Sequence, residues 1–258
     1  MSKRGERSSI SPDQSTAPEQ LSVDQLKVEL FDLEVPENYR KFFGTPYIEL
    51  TDDYSQHLRS AIFDYAGAKK ESYSIPYKCD AIPTTEIPNE SLSEFGRFLK
   101  DKVKGGTVID LGCGEGSFME KYAIALGAKR YIGVDNALQC EVARKERDTE
   151  IYRVAMDMLG FVAQIKNEMG AVYYLGGIEP NARKIRIVEE YSSRLLNEIR
   201  RTMKVGDILI LGNGTRGFIP EEIGFEQITF QHLAKYDKDM PKTYTTRVYK
   251  KAGEATRH

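Results

Sequence analysis

The 258-residue chain has only three cysteines, Cys79, Cys113 and Cys140, too few and too far apart for a disulfide framework or a CxxC metal clip. Its three histidines, His57, His232 and His258, show no ligand spacing, so no metal site is expected. Neither sign of charge dominates: 37 Lys and Arg against 39 Asp and Glu leave a formal net charge of −2, which offers no global attraction to nucleic acid or to an anionic membrane. No run approaches the roughly 18 apolar residues of a membrane span. The opening MSKRGERSSISPDQSTAPEQ also lacks the apolar centre of a signal peptide. These absences predict a soluble, cytoplasmic, metal-free protein, and they leave the oligomeric state open.

What is present divides the chain into four stretches. Residues 1–20 are Ser, Pro, Gln, Thr and charges, which bury too little apolar surface to offset ordering entropy, so a disordered tail is expected. Residues 21–104 carry helical signals broken by proline. Tyr54, Leu58, Ile62 and Tyr65 share one helix face, and a second helix follows Ser91 and Glu94, which have capping-box spacing, and ends at Gly105 and Gly106. Leu21–Leu33 reads equally as helix or strand. From residue 105 to 251 short apolar runs alternate with helical patterns, the signature of a parallel sheet wrapped by helices. Strands are expected at 107–111, 131–134, 151–156, 171–175 and 208–211, with two closing strands at 225–230 and 243–250. Residues 252–258 form a C-terminal tail. The fold expected is a doubly wound, mostly parallel seven-stranded α/β sheet with helices on both faces.

The stretch VIDLGCGEGSF, from Val108 to Phe118, sets three glycines between a buried strand and a helix. Such a turn lets a ligand approach the backbone and presents free N–H groups. A dinucleotide-binding G-x-G-x-x-G would need glycine at position 117, which is Ser117. The pattern here is instead Asp110-x-Gly112-x-Gly114-x-Gly116, and the carboxylate suits a ligand with an amino group better than a phosphate.

This stretch resembles the first motif of the class I S-adenosylmethionine-dependent methyltransferases, which have a Rossmann-like core. The resemblance spans about 105–215 and implies S-adenosylmethionine as cofactor, held by Asp110, Gly112, Cys113, Gly114 and Gly116 at the turn. It adds Asp135 and Asn136 after the second strand, Asp157 and Met158 after the third, and Gly176 after the fourth. Asp135 would accept ribose hydroxyls. Asp157 would receive the adenine amino group with Met158 on the ring, and Asp157 also suits the N-cap of a helix beginning at Met158. The family typically folds its N-terminal region over the sheet as a lid, here residues 21–104 with Tyr39, Tyr47, Tyr54, Tyr65, Tyr73 and Tyr77. These rings serve equally well as the packing of a small helical subdomain.

Methyl transfer is an in-line displacement that positioning can largely drive. Where a proton must be removed, Glu179 is the carboxylate best placed by sequence, in a loop where a solvated glutamate would also fit. The stretch after the fourth strand, Gly-Gly-Ile-Glu-Pro, lacks the Asp/Asn-Pro-Pro-aromatic pattern of enzymes that methylate nucleic-acid amino groups, so a small-molecule acceptor is expected. The charges of the long helix from Asn181, Arg183 to Arg201 interleaved with Glu189, Glu190 and Glu198, read as a solvated face rather than an RNA surface. The rival readings are a non-catalytic S-adenosylmethionine-binding or scaffold protein, a nicotinamide-dependent oxidoreductase and an aminopropyl transferase.

Overall fold

The computed structural model of the protein describes residues 21–43, 62, 87, 89–114, 118–136, 138, 140–175, 185–212, 220–230 and 246–253. The expected N-terminal tail, five of the six N-terminal tyrosines, His57 and His232 lie outside these residues. The described strands are β1 (Thr107–Leu111), β2 (Arg130–Asp135), β3 (Val142–Glu146), β4 (Thr149–Ala155), β5 (Ala171–Leu175), β6 (Ile208–Leu211), β7 (Phe225–Ile228) and β8 (Arg247–Lys251). The helices are α1 (Val23–Leu30), α2 (Glu37–Arg40), α3 (Glu94–Val103), α4 (Phe118–Ala125), α5 (Met158–Gln164) and α6 (Ile185–Thr202).

The sheet runs β3-β4-β2-β1-β5-β6-β8-β7. Its centre, β4-β2-β1-β5-β6, is parallel. β3 is antiparallel to β4, and β8 is antiparallel to both β6 and β7. Eight strands rather than the expected seven therefore form a mixed sheet. The extra one, β3, is the chain VARKE, half-exposed and without an apolar run. It turns into β4 through Arg147 at φ 56° and Asp148, with no glycine or asparagine to mark the hairpin.

Alternation along the central strands divides the core in two. Ile109, Leu111, Ile132, Val134, Val154, Tyr173 and Leu209 face α1, α5 and α6. Val108, Tyr131, Ile151, Val172 and Ile210 face α3 and α4. Helix α6 and the residue after it bury Leu195, Leu196, Ile199 and Met203, and the helix's charges pair along it, Arg194 with Glu190 and Arg201 with Glu198.

Helix α3 is capped by Ser93, whose hydroxyl accepts from the Gly96 N–H, not by Ser91, which ends a short 3-10 turn. The helix stops where expected, before Gly105 at φ 69°. The ambiguous Leu21–Leu33 resolves into helix α1 followed by a bridge from Phe31 to Ile165. α1 lies against the sheet face as part of the core layer, with Leu26 and Leu30 buried, rather than as a lid over the strand ends. Of the expected lid, residues 44–61, 63–86 and 88 lie outside the described set. No described helix is long and apolar enough to cross a membrane.

Candidate functional site at the carboxyl edge

The strand order reverses between β1 and β5, so ligands of such a sheet bind beside the carboxyl end of β1. There the chain leaves Leu111 through Gly112 at φ 80° and Gly114 at φ 58°, backbone angles that disfavour any side chain. The N–H groups of Gly112 and Cys113 donate to the Val134 carbonyl at 2.8 and 3.3 Å, which keeps the turn attached to β2. The Gly114 N–H donates at 2.8 Å to Asp135 Oδ2, joining turn and acid into one unit. Among the described residues, a β carbon on Gly114 would meet nothing within 4 Å. One on Gly112 would stand 3.6 Å from Met158 Sδ, which brings the start of α5 against the turn.

Beneath the turn the sheet buries charge. Asp110 is 2% exposed and its Oδ2 accepts from the Tyr131 hydroxyl at 2.7 Å. Gly133 stands beside Asp110 in the register, and a β carbon there would come within 2.8 Å of Cys113 Sγ and 2.9 Å of the Tyr131 hydroxyl. Only glycine leaves room for both. Burial, then the nearby Asp110 and Asp135 carboxylates, push the Cys113 thiol far above its ordinary range. Cys113 itself is 8% exposed, packed against the sheet below the turn. In the first turn of α4, Glu120 accepts from Arg144 at 2.5 Å and from Arg153 at 2.9 Å, tying the helix that follows the glycine turn to the β3–β4 hairpin.

Asp157 follows β4 and caps α5 as the sequence suggests: its Oδ1 accepts from the N–H groups of Leu159 at 2.9 Å and Gly160 at 3.3 Å. The Tyr191 hydroxyl, from α6, donates to the same oxygen at 3.2 Å. The residue is 8% exposed, and its other oxygen, Oδ2, is buried with no partner among the described residues. Burial raises its carboxyl above the usual range against the opposing pull of these three donors. A buried acceptor with nothing to accept is costly unless a ligand N–H or a water donates to it.

The structure therefore gathers Gly112, Gly114, Asp135, Asp157 and Met158 along one edge, with Asp110 and Cys113 packed under it. Asn136 is exposed just beyond β2. Gly116, Gly176 and Glu179 lie outside the described residues. The sequence reading missed Tyr131, Glu120, Arg144, Arg153 and Tyr191. Their partners lie 21 to 34 positions away, and no local pattern announces them.

No protein-family model matches the sequence, and no curated protein does. In structure the chain is similar to S-adenosylmethionine-dependent methyltransferases. One, from Mesorhizobium loti, is 14% identical, the match covering 61% of this chain and 98% of the other at a TM-score of 0.39. The antibiotic-resistance methyltransferase Kmr is 18% identical, over 65% of this chain and 98% of its own, with a TM-score of 0.39. A TehB-like SAM-dependent methyltransferase from Corynebacterium glutamicum is 15% identical, over 57% and 81%, at 0.37. At these values none of them assigns an activity to this chain.

Proposed function

We propose that the protein is an S-adenosylmethionine-dependent methyltransferase acting on a small-molecule acceptor, with the cofactor lying along the carboxyl edge of β1, β2 and β4. The observation that carries this reading is the buried, unpartnered Oδ2 of Asp157, set on the same edge as a bare glycine turn and an acid bound to that turn. Gly112 and Gly114 let the methionine part approach the backbone, Asp135 accepts from ribose hydroxyls, and Asp157 with Met158 receives the adenine.

The cofactor, when bound, supplies a methyl carbon whose bond to sulfur breaks as the acceptor's lone pair forms the new bond. The chain's part is to orient, to exclude water and to hold charge in place. Where the acceptor carries a proton, Glu179, just beyond β5 in the sequence, is the base proposed to take it. The near-balanced charge of the chain supports a small acceptor over a nucleic acid.

Calorimetric titration with S-adenosylmethionine and S-adenosylhomocysteine tests the reading. Wild type is expected to bind both, and Asp135→Ala to weaken binding by about 2 kcal/mol, the scale of lost charge-assisted hydrogen bonds. No binding by wild type to either would sink the proposal. Binding without methyl transfer to any acceptor in a broad screen would leave a cofactor-binding protein in its place.

A further inference from the structure

Three segments distant in sequence meet at Asp157. Tyr191, 1% exposed, reaches it from α6, donating to Oδ1 and accepting from the Leu159 N–H at 3.3 Å. The ring of Phe42, just after α2, packs edge-on against Tyr191 with centroids 6.0 Å apart. This segment is in turn fastened to α6: the Tyr39 hydroxyl donates to Glu198 at 2.9 Å, Lys41 pairs with Glu190 at 3.0 Å, and the Arg194 guanidinium lies 5.3 Å over the Tyr39 ring and 5.7 Å over that of Phe42. Neither α2 nor Tyr191 belongs to the glycine turn or to the strand ends, yet Tyr191 bonds Asp157 directly and the α2 segment reaches it through the Phe42 ring.

We infer that Tyr191, braced by Phe42, is a positioning residue that pins Asp157 Oδ1 so that Oδ2 is presented as a hydrogen-bond acceptor, making the site select a 6-amino purine over a 6-oxo one; this rests on the cofactor reading above. With two backbone N–H groups and a hydroxyl all aimed at Oδ1, that position must hold an oxygen. The same constraint dictates what Asp157→Asn does. Its amide carbonyl takes the Oδ1 place and its NH2 group the Oδ2 place, turning an acceptor into a donor without disturbing the cap.

The test is titration of the full chain with S-adenosylhomocysteine and with S-inosylhomocysteine, for wild type, Tyr191→Phe, Asp157→Asn and the double variant. Wild type is expected to favour the adenosyl ligand about tenfold or more, and Asp157→Asn to reverse the preference. Tyr191→Phe, which keeps the ring and its packing, is expected to weaken the adenosyl ligand about fivefold, the effect of losing one hydrogen bond. It should cost little further in the Asp157→Asn background, because it acts through that residue. Phe42→Leu, which loosens the brace and keeps the hydroxyl, shifts affinity the same way by less. A merely structural Tyr191 would give the same loss in both backgrounds, and that result overturns the inference, as does a Tyr191→Phe affinity within twofold of wild type or an Asp157→Asn preference that does not reverse. Wild type silent toward both ligands would instead sink the cofactor reading itself.

Discussion

The two faces of the sheet are covered by helices in the same way but buried with different materials. Under α1, α5 and α6 the core is largely apolar, and its buried carboxylate, Asp157, is met by a hydroxyl and backbone N–H groups rather than by cations, as Tyr173 is met by Thr202 at 2.6 Å. Under α3 and α4 the sheet buries carboxylates: Asp110 and Glu120 are 2% and 4% exposed and are held by Tyr131, Arg144 and Arg153. Burying an ion costs several kcal/mol before its partners compensate, and shape alone cannot satisfy it. The directional bonds of these charged groups tie the end of β1 to the start of β2 and the start of α4 to the β3–β4 hairpin, on either side of the glycine turn. An apolar core would fill that volume but would not orient the turn.

The comparison can be broken most forcefully on the apolar face. Phe161→Ala, which opens a cavity at a side chain with no exposure, is expected to cost about 4 kcal/mol in urea denaturation. On the charged face, Glu120→Ala removes the carboxylate shared by Arg153 and Arg144, Arg144 keeping its 3.4 Å contact with Glu146, and is expected to cost about 3 kcal/mol by the same measurement. A loss under 1 kcal/mol there would show that the face does not depend on its ion pairs. Gly133→Ala puts a methyl group against Cys113 and the Tyr131 hydroxyl, and an overpacking cost of about 2 kcal/mol is expected, with weakened S-adenosylhomocysteine binding as the turn shifts.

The smallest effect expected is in pH dependence. Burial raises the Asp157 carboxyl above the value it has in the unfolded chain. Between the ordinary carboxylate value and the raised one, the native state holds a proton that the unfolded state has lost, so wild type loses stability as pH rises through that window. Thermal melts at pH 4 and pH 7 should show Asp157→Asn gaining on wild type at the higher pH. An unchanged difference would mean that Asp157 has no raised value in the native state.

Local patterns made much of this legible. β1, β5 and β6 begin and end where their apolar runs do, and α5 begins where Asp157 caps it, because burial on both faces and capping are written in adjacent residues. Asp135 and Asp157 stand at strand ends for the same reason.

The sequence by itself therefore determined the parallel core, the bare turn at Gly112 and Gly114, and the acids that end β2 and precede α5. Tertiary structure alone decided that VARKE becomes an edge strand, that Glu120 takes Arg144 and Arg153, that α1 lies on the sheet rather than over it, and that Tyr191 reaches Asp157. The physical reason is range. Backbone periodicity and capping act over a few residues, whereas a charged or hydroxyl side chain reads the same in sequence whether it faces water or a partner 34 positions away.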